Sequence, residues 1–274
     1  MNIDQHSAKL IDEPCLLEEI NISGDRMIER VFSFLGRFVA YPNEHAHVAH
    51  ALWCIHAQLM DRWESTPRLA FLSAEPASGK TRALEITAHL VPNPVQAVNV
   101  SPAYLFRKVG SENGATILYD EIDTMFGPKA RENEEIRGLL NAAHRKGAVA
   151  GRCVMRGKTV ETDPSLRGCG ARRSRLVTRH DPFPLGVIRM RRRRAGEKVE
   201  QYRRRLHATG GDGIREKIAT WAKSAQIKWP NLPAGIEDRN AEVWEPLIMV
   251  ADAIGGEWPK RARDAALALI SARQ

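Results

Sequence analysis

The sequence has 274 residues, of which 43% are hydrophobic and 27% are charged, the composition of a globular protein with one large or two ordinary domains. The 41 Lys and Arg residues outnumber the 33 Asp and Glu residues, giving a net charge of +8, so we expect attraction to polyanions. No apolar run approaches the roughly 20 residues of a membrane-spanning helix, and the polar stretch Met1–Glu13 is unlike a signal peptide. These features exclude fibrous, disordered and membrane-spanning classes and predict a soluble cytoplasmic protein.

Two helices are predicted in the N-terminal part of the chain. Apolar residues recur at helical spacing over residues 14–65, and Tyr41-Pro42-Asn43 interrupts the pattern. His47, His50 and Cys54 fall on one face of the second helix, at spacings of i, i+3 and i+7. Such a trio could ligate a metal ion, but a helix face packed beneath a loop is the favoured interpretation.

Predicted strands and helices alternate after this region. Short apolar runs indicate the strands, and helical spacing of apolar residues follows them. The elements are strands at 69–72, 95–100 and 115–119 and helices at 80–90, 102–109 and 132–146. Ser101 as a cap and Pro102 at the first helical position define the start of the second of these helices. This alternation predicts a parallel sheet with helices on both of its faces.

The loop after the first strand is a near match to the phosphate-binding pattern G-x-x-x-x-G-K-[ST]. It reads Ala74-Glu75-Pro76-Ala77-Ser78-Gly79-Lys80-Thr81, with Ala74 in place of the first glycine. In this pattern, backbone N–H groups and the following helix N-terminus bind phosphate oxygens, while the lysine reaches the β- and γ-phosphates. The residues predicted to bind ATP are Glu75, Pro76, Ala77, Ser78, Gly79, Lys80, Thr81 and Arg82.

The third strand ends in two acidic residues. Ile117-Leu118-Tyr119 is followed by Asp120 and Glu121, which is the pattern of a Walker B motif. We predict that Asp120 holds Mg²⁺ together with Thr81. Glu121, which would polarise the attacking water, and Lys80 are the predicted catalytic residues. Alternatively, the strand ends in two solvated acids without a function. The phosphate-binding loop and the Walker B pattern occur in the expected order along the chain, which favours the Walker B interpretation.

Further segments accompany the two motifs, and they form a recognisable set. They are Pro67–Leu69, Leu139–Ala142, His144–Gly147, Met190–Arg194 and Trp258–Arg263. Together the segments resemble an actinobacterial and phage family of P-loop ATPases that is catalogued mainly as a domain of unknown function. The resemblance implies a P-loop NTPase of the ASCE or AAA-like class, helicase-like and with an extra catalytic glutamate. It also implies a gene carried by prophages and plasmids, beside replication primase modules.

One segment departs from this family. In the class that the resemblance implies, an apolar sensor strand lies between the P-loop strand and the Walker B strand. Residues 164–186 are instead rich in Gly and Arg, and no regular element is predicted for them. Unpaired arginines are unfavourable in a strand buried on both faces; those concerned are Arg172, Arg173, Arg175 and Arg179. Either a hairpin predicted over residues 149–162 replaces the strand, or the sheet is damaged.

Reading the same codons one base later gives an apolar alternative for this segment. With free third bases, Gly168–Gly186 is compatible with the string A-V-A-L-A-G-L-G-W-L-P-D-T-I-L-S-R-S-V, which resembles the family at this place. The first and last bases of each shifted codon are largely fixed by the residues present, so the match is constrained. The hypothesis is a compensated frameshift, in the gene or in its sequencing, and the alternative is a genuine basic loop.

The C-terminal part is predicted to be mostly helical after a short strand at 187–190. The basic runs Arg189–Arg194 and Arg203–Arg205 would contact nucleic-acid phosphates without sequence preference, or would be solvated charge. The predicted domains are an N-terminal helical extension (1–66), a P-loop ATPase core (67–194, aberrant at 164–186) and a C-terminal helical region (195–274).

The sequence therefore predicts an α/β P-loop NTPase from a phage or mobile element. We expect a Mg²⁺-dependent ATPase linked to DNA replication, with ATP and Mg²⁺ as its cofactors and no membrane partner. A homo-oligomer is left open. The second hypothesis is a degenerate, non-catalytic remnant that is at most a nonspecific nucleic-acid-binding basic protein, and the segment around Arg172 discriminates between the two.

Overall fold

The computed structural model describes residues 23–97, 100–109, 114–120, 154–156, 159–161, 168–174 and 185–272. Its elements are α1 (Gly24–Phe38), α2 (Glu44–His56), a 3₁₀ helix (Ala57–Arg62), β1 (Arg68–Leu72), α3 (Lys80–Thr87), β2 (Pro94–Ala97), α4 (Pro102–Val109), β3 (Ala115–Tyr119), β4 (Val154–Arg156), β5 (Thr159–Glu161), β6 (Gly168–Ser174), β7 (Leu185–Arg189), α5 (Arg204–Ser224), α6 (Asp238–Ile254) and α7 (Trp258–Ser271). Glu121 and the helix predicted at 132–146 lie outside the described residues. None of the helices in these ranges is long and apolar enough to cross a membrane.

Five parallel strands form the main sheet, in the order β2-β3-β6-β1-β7. The two strands that flank β6 have every residue buried, as expected for inner strands of a parallel sheet. Strands β4 and β5 pair antiparallel in a separate two-stranded sheet, which confirms the predicted hairpin. The predicted parallel sheet is also confirmed. Because its strands run in one direction, their carboxyl ends meet at a single edge, where the loop after β1 and Asp120 both lie.

Strand β6 contradicts the prediction that residues 164–186 hold no regular element. The strand lies between β1 and β3, with Arg173 level with Phe71 and Arg172 level with Tyr119. The hairpin therefore does not replace this strand, and the five-stranded order is continuous through it. The physical reason is that β1 and β3 each present a row of backbone donors and acceptors that must be paired when buried. Main-chain pairing is independent of side-chain type, and the apolar-run criterion could not detect it.

Helix α2 forms the centre of the helical layer. Its residues from Ala46 to His56 are all buried, because α1, α6 and α7 pack against it. Asn43 caps its start by accepting a hydrogen bond from Ala46 N at 2.9 Å, which confirms the helix break predicted at Tyr41-Pro42-Asn43. A helix that is buried on all sides belongs to the core.

The histidines of α2 serve this packing. The His47 ring stacks between Phe32 and Tyr41, with ring centroids 3.5 Å and 4.2 Å apart, and its Nε2 lies 2.8 Å from Phe32 O. Burial lowers the pKa of His47 to about 4. Within the described part of the chain, no group of His, Cys, Asp and Glu side chains could hold a metal ion. The packing interpretation of this helix face is therefore confirmed by the ring contacts.

A chain of hydrogen bonds joins α2 to α3. His50 Nδ1 lies 2.6 Å from the Tyr41 hydroxyl, and His50 Nε2 lies 2.8 Å from Thr87 Oγ1. Thr87 Oγ1 in turn donates to Ala83 O at 2.6 Å. These partners assign the His50 proton to Nε2, with the Tyr41 hydroxyl donating to Nδ1. Burial lowers the pKa of His50 to about 3, which keeps the ring neutral and this directional chain intact.

Helix α7 is fixed by the segment Trp258–Arg263. The Arg261 guanidinium lies 4.1 Å from the Trp258 ring centroid and 4.6 Å from that of Phe32, which are cation–π distances. Arg263 makes two hydrogen bonds to the Asp252 carboxylate of α6, at 2.6 Å and 2.9 Å. The residues of this segment thus join the last helix to α1 and α6.

Candidate functional site

The loop between β1 and α3 contains two residues with left-handed backbone conformation. Ala77 has a φ of 57° and Gly79 a φ of 85°. Glycine adopts this region without steric cost, whereas an alanine there costs roughly 1–2 kcal/mol. Ala74 is not among the residues with positive φ, so its replacement of the first glycine in the sequence pattern causes no strain. The strain of this loop is therefore at Ala77.

The Lys80 ammonium lies inside this loop. The residue is 3% exposed, and its Nζ donates to Ser73 O at 3.1 Å, Glu75 O at 3.3 Å and Ser78 Oγ at 3.2 Å. These three partners are neutral oxygens, which accept hydrogen bonds from the ammonium. The loop therefore encloses a positive charge at the start of α3.

Backbone amides of the same loop are available as donors. The N–H groups of Ala77 and Gly79 make no hydrogen bond to any described residue. They directly precede the N-terminus of α3, whose dipole favours an anion. Successive amides around a left-handed residue form an anion-binding concavity. With the Lys80 ammonium beside them, they can bind the oxygens of a phosphate chain.

Thr81 and Arg82, the predicted ATP-binding residues after Lys80, have different surroundings. Thr81 is exposed on the first turn of α3. Arg82 points to the side: its Nη1 lies 2.9 Å from Glu85 Oε2, and its guanidinium lies 5.3 Å from the Tyr202 ring centroid. The Tyr202 hydroxyl lies 2.6 Å from Nε2 of His89, just after α3. Arg82 thus joins α3 to the segment before α5, and its side chain is not turned into the loop.

Asp120 lies at the same edge of the sheet as the loop. It follows directly after β3, and its backbone N donates to Ala97 O of β2 at 3.0 Å. Since β6 lies between β1 and β3, the ends of these strands are two strand spacings, about 10 Å, apart. The structure therefore brings Lys80, Thr81 and Asp120 to one edge. Glu121 lies outside the described residues.

The segment after β7 contacts the loop, and sequence reasoning missed this. Met190 N donates to Leu72 O at 2.7 Å, which extends the pairing of β7 with β1. Arg192 Nε donates to Pro76 O at 2.9 Å, and Arg192 N donates to Glu75 Oε2 at 3.2 Å. No sequence pattern signals these contacts, because the partners are more than a hundred residues apart along the chain.

The arginines predicted to contact nucleic acid have different surroundings. The Arg191 guanidinium binds the Glu197 carboxylate, and this hydrogen bond lowers the pKa of Glu197 to about 2. Arg192 binds the loop, as described above. Arg189, Arg193, Arg194 and Arg203–Arg205 are exposed, so they are open to a polyanion.

Comparisons with known proteins found a family model, a curated relative and a similar solved structure. A family model described as "Protein of unknown function (DUF3631)" matches residues 189–274. An uncharacterized 28.9 kDa protein in the xis 5′ region of Saccharopolyspora erythraea is 42% identical over 86 residues, which are 30% of this chain and 32% of that protein. The A form apo structure of NrS-1 C terminal region-CTR is 10% identical, with a TM-score of 0.39, over 94% of this chain and 55% of that chain.

The matched family segment begins at the last residue of β7. It contains Arg192 and helices α5 to α7, including the Trp258–Arg263 segment that fixes α7. It contains neither Lys80 nor Asp120. The chain spans about half the length of the similar solved structure, and its match spans about a third of the Saccharopolyspora erythraea protein. Residues 189–274 are thus similar to a protein family of unknown function.

Proposed function

We propose that the protein binds ATP with Mg²⁺ in the loop between β1 and α3 and hydrolyses it. The observation that carries this proposal is the buried Lys80 ammonium beside the amides of Ala77 and Gly79, which have no hydrogen-bond partner among the described residues. A triphosphate supplies the negative oxygens that such a set of donors binds. The position of β6 between β1 and β3 supports the proposal, since a P-loop ATPase of the ASCE class has its sensor strand there.

Each residue has one part in this reaction. Lys80 exchanges its loop oxygens for the β- and γ-phosphate oxygens and neutralises the charge that develops on them. The Thr81 hydroxyl and the Asp120 carboxylate are oxygen donors of the kind that Mg²⁺ prefers, and they would hold the ion. Mg²⁺ supplies further neutralisation of the phosphate charge. Glu121 polarises the water that attacks the terminal phosphate.

We assign this ATPase to DNA replication of a phage or mobile element. The family resemblance of the sequence implies this role, and the description of the Saccharopolyspora erythraea protein by its place in the xis 5′ region supports a mobile element. The exposed arginines Arg193, Arg194 and Arg203–Arg205 would bind nucleic-acid phosphates as point charges, without reading sequence.

The first experiment compares the affinity for ATP with and without Mg²⁺ and then measures turnover. Lys80→Ala is expected to abolish both binding and phosphate release, because it removes the cation from the loop. Lys223→Ala, an exposed lysine in the last turn of α5, is the matched control and should retain both. ATP hydrolysis that survives Lys80→Ala would refute the assignment of the site.

A second candidate is the non-catalytic remnant. It is favoured by the composition of β6, where Arg172 and Arg173 occupy a strand between two buried strands. A central strand of this kind ordinarily consists of apolar residues. ATP binding without turnover in saturating Mg²⁺ would support the remnant over the ATPase.

A further inference from the structure

Arg192 binds the peptide group between Pro76 and Ala77. Its Nε donates to Pro76 O at 2.9 Å, while its backbone N donates to Glu75 Oε2 at 3.2 Å. Two neighbouring residues of the loop are thus bound to one residue of the segment after β7. That segment is itself held against β1 by the hydrogen bond from Met190 N to the β1 backbone.

The geometry of a peptide group links this contact to the phosphate side of the loop. In a trans peptide, the C=O and N–H bonds point in opposite directions. A guanidinium bound to Pro76 O therefore leaves the Ala77 N–H pointing away from Arg192, on the opposite side of the C–N bond. This N–H belongs to the amides that lack partners among the described residues. The direction of the Ala77 N–H thus depends on where Pro76 O is held.

Ala77 needs such support because of its conformation. Its φ of 57° lies in the left-handed region, and a non-glycine residue remains there only when its surroundings fix it. A hydrogen bond from a guanidinium is charge-assisted and therefore among the stronger ones that can do this. The Met190 side chain lies near the other left-handed residue, since its Cε is 3.6 Å from the position that a Cβ on Gly79 would take.

We propose that Arg192 is a positioning residue of the phosphate-binding loop. It holds the Pro76–Ala77 peptide so that the Ala77 N–H is presented to the phosphate chain. It acts through this peptide and does not contact the nucleotide itself. The inference rests on the proposed function, and it removes Arg192 from the arginines that would bind nucleic acid.

The test is a double-mutant cycle in ATP affinity. Arg192→Ala is expected to weaken ATP binding about tenfold, because binding must then restore the left-handed Ala77. In an Ala77→Gly background, the same change should cost no more than about threefold, since glycine adopts this conformation without strain. Arg239→Ala, at an exposed arginine in the first turn of α6, is the matched control and should stay within about twofold of the parent.

Rescue by Ala77→Gly is a readout that general destabilisation would not produce. An Arg192→Ala protein that binds ATP like the parent overturns the inference, and so does a loss of equal size in both backgrounds. If the parent binds no ATP, the proposed function fails, and the ¹⁵N heteronuclear NOE of the Ala77 and Gly79 amides decides the inference. A clearly lower NOE in Arg192→Ala than in Arg239→Ala then supports the positioning role, and an equal NOE overturns it.

Discussion

Replacing the arginines of β6 is expected to stabilise the protein strongly. The minimal change is Arg172→Ala with Arg173→Gly, the residues that the shifted reading frame places there. The second change replaces all of residues 168–186 by the shifted string A-V-A-L-A-G-L-G-W-L-P-D-T-I-L-S-R-S-V. Both remove positive charge from a strand that has a partner on each side.

The magnitude follows from the neighbours of this strand. Position 172 lies level with Ala70 and Tyr119, and position 173 with Phe71, and these neighbours are at most 3% exposed. The expectation supposes that an arginine at each position shares this burial without a counter-ion, which would cost roughly 3 kcal/mol for each arginine and about 6 kcal/mol for the two. With about 2–4 °C per kcal/mol for a protein of this size, Tm should rise by at least about 10 °C.

Thermal unfolding followed by circular dichroism measures the effect. The matched control is Arg193→Ala with Arg194→Gly, which makes the same chemical change at two exposed positions and should move Tm by no more than about 2 °C. Sequencing of the coding DNA tests the frameshift itself, independently of stability. If both β6 variants melt within about 2 °C of the parent, the burial argument is wrong.

Three further outcomes are expected. Burial lowers the pKa of His56 to about 3, below the value of about 6.5 in the unfolded chain, so the unfolded state binds more protons between these values. The free energy of unfolding should therefore fall as the pH drops below 6.5, by about 1.4 kcal/mol per pH unit for this group. Urea titrations at several pH values should give His56→Phe a dependence of the unfolding free energy on pH that is weaker by this amount. An unchanged dependence contradicts the reasoning. Arg263→Ala should lower the free energy of unfolding by about 1–2 kcal/mol, since it breaks the paired hydrogen bonds to Asp252; an unchanged urea midpoint would count against this. The protein should shift single-stranded DNA in a gel at 50 mM salt and release it at 200 mM. Alanine at Arg203–Arg205 should weaken this binding. Equal binding at both salt concentrations excludes a phosphate contact.

Sequence patterns predicted the elements whose signals are local. Strand β3 at Ala115–Tyr119 and helix α4 at Pro102–Val109 have the predicted bounds, because an apolar run defines the first and Ser101 with Pro102 defines the start of the second. Strand β6 was missed because its signal is not local. Its position is defined by the open edges of β1 and β3, and its own residues carry no apolar run.

The candidate site likewise contains features that the local sequence predicted and features that it did not. The loop around Lys80 was predicted because its residues are consecutive and their pattern reflects the chemistry of phosphate binding. The strain at Ala77 and the contact from Arg192 were not predicted, since they depend on backbone dihedrals and on a residue brought near by the pairing of β7 with β1. Local patterns indicate which residues are candidates for binding phosphate, whereas tertiary structure determines which distant residues contact them.

The late arrival of β6 affects how the nascent chain folds on the ribosome. β1 and β3 are complete once translation has reached Tyr119, but the strand that lies between them begins only at Gly168. At 5–20 residues per second, the intervening stretch of about 50 residues takes roughly 3–10 s to translate. During that interval each of the two strands has an open edge that can pair with another chain. We expect stalled chains that end before residue 168 to aggregate or to be retained by chaperones, and chains that extend past β7 to be released.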